Sequence, residues 1–136
     1  MSDCIFCRIV SGEIPSRKIY EDEDILAFLD IQPISRGHLL VIPKEHCDDL
    51  SGLPDRLISP LFLTVRRLSA AVTKALKADG MNVITNKGFA AGQLIFHAHV
   101  HVIPRFTGDG LTSWPKISLT DAEMDDIATT IREKFN

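Results

Sequence analysis

The run GQLIFHAHVHVIPR, residues 92–105, places His97, His99 and His101 at every second position. Strict alternation is the period of a β-strand, in which residues i, i+2 and i+4 project from one face. Ile95, His97, His99, His101 and Ile103 would then share a face. Leu94, Phe96, Ala98, Val100 and Val102 would fill the other and suit packing. Pro104, which has no N–H for a ladder, is expected to close the strand. At ~3.3 Å per residue, neighbouring histidines lie roughly 7 Å apart and the outer two roughly 13 Å apart. Zinc–nitrogen bonds are only ~2.0–2.1 Å. A straight strand therefore does not easily bring all three imidazoles to one metal, and at least one is free for other chemistry. An ordinary exposed strand face would more often carry Thr, Lys, Glu or Ser.

Around this run the pattern predicts further elements. Residues 4–11 suit a short helical turn. Two strands, over 18–21 and 25–31, flank an acidic turn. QPISRG supplies Pro33 and Gly37 for another turn, followed by a strand over 38–42 that ends at Pro43. The main helix lies within 55–78, where Leu57, Ile58, Leu61, Phe62, Val65, Leu68, Val72, Ala75 and Leu76 follow the helical period. Pro60 either opens that helix behind a Ser59 cap or interrupts a longer one, and Gly80 is expected to end it. A strand over 81–86 and the loop KGFAAGQ lead into the histidine run. Residues 107–118 read as irregular. A last helix starts at Thr120, where Thr120-x-x-Glu123 matches a capping box, with Met124, Ile127 and Ile131 as its apolar stripe.

Strands in neighbouring pairs with one long helix between two groups favour an α+β fold. The expected architecture is a mainly antiparallel sheet with one long helix and a C-terminal helix. The 136 residues suit one domain over 1–136, with a core over 4–110 and a tail and helix over 111–136. No GxGxxG or Walker pattern is present, which removes the common dinucleotide and P-loop readings. The net charge of −3 gives no support for nucleic-acid or membrane-surface binding by charge. No apolar run reaches the ~18 residues of a membrane span. MSDCIFCRIV lacks the features of a signal peptide, so a cytoplasmic location is the expectation. Three cysteines, an odd number, argue against a secreted disulfide framework.

Cys4-Ile5-Phe6-Cys7 is a CxxC pair, either redox-active or half of a metal site. A thioredoxin-like site would normally sit in a βαβ setting, which is lacking here. Two thiolates and two imidazoles make a good tetrahedral zinc site. His46, at PKEH, can swing in from a loop, and one of the three alternating histidines can complete the set. Cys47 reads as a packing residue or a competing ligand, and Cys4 and Cys7 could also be merely small, partly buried side chains.

These residues together resemble the histidine triad superfamily of nucleotide-binding hydrolases and transferases. The resemblance runs from about Cys4 to Arg105 and includes CIFCRIVSGEIPS, YEDEDILAFLDIQP, GHLLVIPKEH, the segment from Asn86 to Gly92-Gln93, and His-x-His-x-His. It implies a five-stranded antiparallel α+β fold paired as a homodimer. It also implies catalytic roles: His99 as the nucleophile on the α-phosphorus of a nucleotide, His101 as a donor to phosphate oxygen, and His38 as a supporting histidine. Zinc-bearing members would use Cys4, Cys7, His46 and His97. The nucleoside pocket would be Ile5, Phe6, Ile9, Phe28, Asp30, Ile31 and Leu40, with Asn86, Gly92 and Gln93 on the phosphate side. One position departs from the pattern: Leu94 stands where many relatives carry a Ser or Thr whose hydroxyl can reach phosphate, which puts that contact and the leaving-group preference in question. The tail after Gly110 is not well covered.

The chemistry of the residues agrees with such roles. Attack by imidazole followed by release to water divides one difficult displacement into two easier ones. A neutral imidazole must be held in one tautomer by a partner on its other nitrogen. His101, Gln93 and loop N–H groups are available to developing phosphoryl charge. Phe6, Ile9, Phe28 and Ile31 can sandwich a purine, and Asp30 can accept from ribose hydroxyls. Taken singly, these apolar residues are ordinary core, and Asp30 is an ordinary turn residue. Four protein ligands leave a zinc no open position, so the metal would be structural. His101, where the transferase branch commonly has Gln, favours hydrolysis. Adenosine phosphoramidates and dinucleoside polyphosphates are the expected substrates. The alternatives are a nucleotidyltransferase, a nucleotide-binding regulatory or scaffold protein with little turnover, and a protein using Cys4 and Cys7 directly in redox chemistry.

Overall fold

A computed structural model of the chain describes residues 3–135. The elements in chain order are helix α1 (Ile5–Val10), strands β1 (Lys18–Glu21), β2 (Ile25–Leu29) and β3 (Leu39–Pro43), helix α2 (Asp55–Leu76), strands β4 (Gly80–Ile84) and β5 (Val100–Arg105), and helix α3 (Asp121–Lys134). The five strands form one antiparallel sheet in the order β1-β2-β3-β5-β4. The expected α+β architecture is the one observed.

The central strands are buried on both faces, so β2 and β3 read as continuous apolar runs, ILAFL and LLVIP, instead of alternating. Ile25, Ala27, Leu39, Val41, Val100 and Val102 pack against α2, which contributes Leu57, Leu61, Val65, Leu68 and Val72. Leu26, Phe28, Leu40 and Ile42 point the other way and meet Phe6 and Ile9 of α1. The predicted α2 stripe is wider than the face it buries, because Ile58 and Phe62 are exposed.

Pro60 lies inside α2, behind a Pro54 cap, so Ser59 caps nothing. Thr64 Oγ1 donates to the Pro60 carbonyl at 2.8 Å. The helix ends at Lys77, in the left-handed conformation at φ 55°, and Gly80 instead opens β4. Gly37 has a specific steric reason: at φ +91° a Cβ there would come within 2.2 Å of Leu76 Cδ1, at the end of α2. Helix α3 carries the predicted Thr120–Glu123 capping box. Its stripe is not core, however, since Met124, Ile127 and Ile131 are all exposed.

The histidine run departs most from expectation. Only its second half is strand, starting at Val100, and Pro104 lies within β5 opposite Met81. Pro104 is tolerated because β5 pairs with β3 only over Val100–Val102 and beyond that has β4 alone as neighbour. Before Val100 the backbone turns to the loop after β3, where the Ala98 N–H donates to the Cys47 carbonyl at 2.7 Å.

Candidate active site

The bend ahead of β5 sends the three alternating histidines to different places. His97 is fully buried and approaches Cys4, Cys7 and His46. His99 and His101 stay together, with ring centroids 5.0 Å apart, and both line a cavity of about 380 Å³. That volume is in the range of small-molecule sites.

The hydrogen bonds assign a tautomer to each neutral ring. His97 Nε2–H donates to the Pro43 carbonyl at 2.8 Å, leaving Nδ1 bare. His99 Nδ1–H donates to the His97 carbonyl at 2.7 Å, leaving Nε2 bare. The Ile34 amide donates to His38 Nδ1 at 3.0 Å, so the His38 proton is on Nε2. Nε2 stands 2.9 Å from His101 Nδ1, which must accept, and the proton of His101 is therefore on Nε2. Asp30 Oδ2 lies 3.5 Å from His38 Nε2. Burial disfavours the cationic form of all three rings. It is the leading cause of the lowered pKa of His99 and His38, and with the neighbouring His99 and His38 it brings His101 down to about 4. Near neutral pH the site therefore presents a nucleophilic nitrogen on His99 beside an N–H donor on His101.

The cavity wall beyond the histidines is mostly apolar. Ile5, Phe6, Ile9, Phe28, Asp30, Ile31, Leu40 and Gly92 all line it. Phe6 sits edge-on to both Phe28 and His99, at 5.6 and 5.2 Å between centroids. Leu94, 76 % exposed, is on the rim.

Two predicted phosphate-side residues are placed elsewhere. Asn86 is not in the cavity lining. Gln93 is buried away from it, and its side chain is fully engaged. Oε1 accepts from the Gly88 amide at 2.8 Å, and Nε2 donates to the carbonyls of Asp48 and Ile95 at 2.7 and 3.1 Å. Gln93 thus anchors the loop that carries Gly88 and Gly92, because a buried amide satisfies its bonding with the nearest backbone. Ser16, which is not among the residues that the resemblance implies, also lines the cavity. Its signal in the sequence is its place in EIPS, two residues before β1.

The second cluster fits a metal. Ligand atoms of Cys4, Cys7, His46 and His97 lie within 4.8 Å of one another. His97 Nδ1 is 3.4 Å from Cys4 Sγ and 3.6 Å from Cys7 Sγ; His46 Nδ1 is 3.4 Å from Cys7 Sγ and 3.2 Å from His97 Nδ1. The edges of a zinc tetrahedron with these bond lengths are about 3.3–3.8 Å. His46 Nε2–H donates to Asp48 Oδ1 at 3.1 Å, so both facing Nδ1 atoms are bare. Two lone pairs this close call for a cation between them, and each ring is oriented by an acceptor on its far nitrogen, as metal-binding histidines usually are. Cys47 packs against the α2 side of the sheet and is outside the cluster.

A larger cleft of about 660 Å³ lies over β4 and the segment after β5, where it is bordered by Trp114. Its one charged residue, Arg105, is already held by Asp109 and Asn82. Among the described residues, no helix is long and apolar enough to cross a membrane.

The HIT domain model matches residues 11–108. Protein hit of Bacillus subtilis is 42% identical over 92% of this chain and 87% of its own. Adenylylsulfatase HINT3 of Arabidopsis thaliana is 44% identical over 87% of this chain and 59% of its own. Among solved structures, a histidine triad nucleotide-binding protein from Candida albicans superposes with a TM-score of 0.85 at 34% identity, covering 97% of this chain and 96% of its own. A Zn-bound histidine triad family protein from Mycobacterium smegmatis gives 0.77 at 40% identity, covering 94% and 97%.

Proposed function

The chain belongs to the HIT family, and from that premise we propose that it hydrolyses a purine nucleoside phosphoramidate or dinucleoside polyphosphate at the α-phosphate, through a nucleotidyl-His99 intermediate. The observation that carries the reading is the bare Nε2 of His99, held by the Nδ1–H bond to the His97 carbonyl at the wall of the cavity. In the first step His99 Nε2 forms a bond to phosphorus and the bond to the leaving group breaks. In the second, water attacks phosphorus, the P–N bond breaks and the mononucleotide departs. His101 Nε2–H donates to a phosphoryl oxygen as charge develops there. The apolar walls hold the base, and Asp30 accepts from the ribose.

Cys4, Cys7, His46 and His97 would hold a structural Zn²⁺, which ties α1 and the His46 loop to the backbone ahead of His99. Support comes from the facing Nδ1 atoms and from the Zn-bound relative. A homodimer belongs to the same reading. It is supported by the open edge of β4 and by the exposed Ile58 and Phe62 of α2.

The test is a substrate panel of adenosine phosphoramidate, dinucleoside polyphosphates and adenylyl sulfate, the last prompted by the adenylylsulfatase relative. The P–N bond of the adduct is labile in acid, so the adduct is trapped at alkaline pH and read by mass spectrometry. One nucleotidyl group on the wild type and none on His99→Ala, with turnover reduced at least about 10³-fold, is expected. Undiminished turnover in His99→Ala would sink the mechanism.

A further inference from the structure

Among the described residues, Ser16 Oγ is the buried side-chain polar atom without a hydrogen-bond partner. Buried hydroxyls are nearly always paired, so an orphan calls for an explanation. Ser16 also lines the cavity that contains His99 and His101.

Its place in that cavity follows from the sheet register. Ser16 is two residues before Lys18, which pairs with Phe28; Phe28 pairs with Leu40, and Leu40 with His101. Side chains two apart on an extended strand share a face, so Ser16 is on the side occupied by Phe28, Leu40 and His101. Three strand spacings, roughly 14 Å, separate β1 from β5. The hydroxyl and the imidazoles are thus at opposite ends of the cavity, with Phe6, Ile9, Phe28 and Leu40 between them. Asp30, at the end of β2, comes between the two ends and lies beside His38. The polar groups therefore run in the order of a nucleotide: histidines at the phosphate, Asp30 at the sugar, Ser16 at the base.

We propose that Ser16 reads the nucleobase, its hydroxyl bonding a polar edge atom of the purine whose phosphate lies against His99. This rests on the nucleotide reading above. A serine hydroxyl both donates and accepts, and so can meet a ring nitrogen, an amine or a carbonyl. In the free protein the unpaired hydroxyl is destabilising; on binding it gains its partner.

Ser16→Ala separates this from a packing role. Calorimetric titrations of wild type and variant use AMP, ribose 5-phosphate, purine riboside monophosphate and 7-deaza-AMP. The expected result is AMP binding weakened about three- to tenfold in the variant, ribose 5-phosphate binding unchanged, and a free-protein Tm equal to or above that of wild type. The analogue lacking the contacted atom should bind both proteins alike. Equal AMP affinity in the two folded proteins would overturn the role of Ser16 while leaving the nucleotide site intact, as would an equal loss for ribose 5-phosphate. Failure of the wild type to bind AMP at all would instead overturn the nucleotide reading itself.

Discussion

Nε2 of His38 stands 2.9 Å from Nδ1 of His101. The Ile34 amide occupies the other nitrogen of His38, so a backbone group decides, through two rings, which nitrogen of His101 carries the proton. His101 is left with its N–H on Nε2.

Replacing His38 with alanine should therefore act through His101. Without the donor, the two tautomers of His101 become closer in energy. We expect kcat to fall about five- to tenfold, the scale of one lost hydrogen bond, with little change in AMP affinity. Imidazole ¹⁵N shifts should show mixed tautomers at His101. A single unchanged tautomer together with full kcat would refute the relay.

The low pKa of His101, about 4, implies a pH dependence of stability. The unfolded chain titrates this group near 6.5. Between those values the unfolded state binds more protons, so stability is fully present above pH 6.5 and declines as pH falls towards 4. The rings of His38 and His99 and the carboxylate of Asp30 are its charged or titratable neighbours. Tm measured from pH 8 to 4 should fall less steeply in His101→Gln than in wild type, because glutamine does not titrate while the metal cluster is common to both. Parallel curves would contradict the shift.

Removal of metal should weaken the fold. Purified protein is expected to contain about one zinc per chain by elemental analysis, and Cys7→Ser much less. Chelation should lower Tm by several degrees, since a ligand bound only by the folded state stabilises it. Full metal retention in Cys7→Ser, or melting insensitive to a strong chelator, would reject the four-residue site.

Gln93→Ala tests whether that residue holds the loop or touches substrate. The substitution leaves the Gly88 amide and two carbonyls without their partner. Urea unfolding should show a loss of about 2–4 kcal/mol. A raised KM at unchanged stability would return Gln93 to the phosphate side.

Much of this molecule is legible along the chain. The continuous apolar runs of β2 and β3, the α2 periodicity and the Thr120–Glu123 box are local patterns, and the elements appear where those patterns lie. Boundaries followed less closely. Lys77 adopts the left-handed cap expected of a glycine, and Pro104 sits inside a strand. Both depend on what neighbouring elements leave open, which local propensity does not contain.

The sequence by itself determined the cast: three imidazoles in alternation, a CxxC pair, a pocket's worth of apolar side chains, and an antiparallel α+β fold to carry them. Tertiary structure decided the division of labour. A period of two puts His97, His99 and His101 on one face, yet the bend before Val100 turns His97 towards Cys4, Cys7 and His46 and leaves the other two at the cavity. It also took Gln93 out of the cavity and brought Ser16 into it. His97 and Gln93 follow one rule: buried polar atoms take the partners nearest in space, and those partners lie on elements far away in the chain; Ser16 reaches the cavity through the sheet register that sets β1 beside β2.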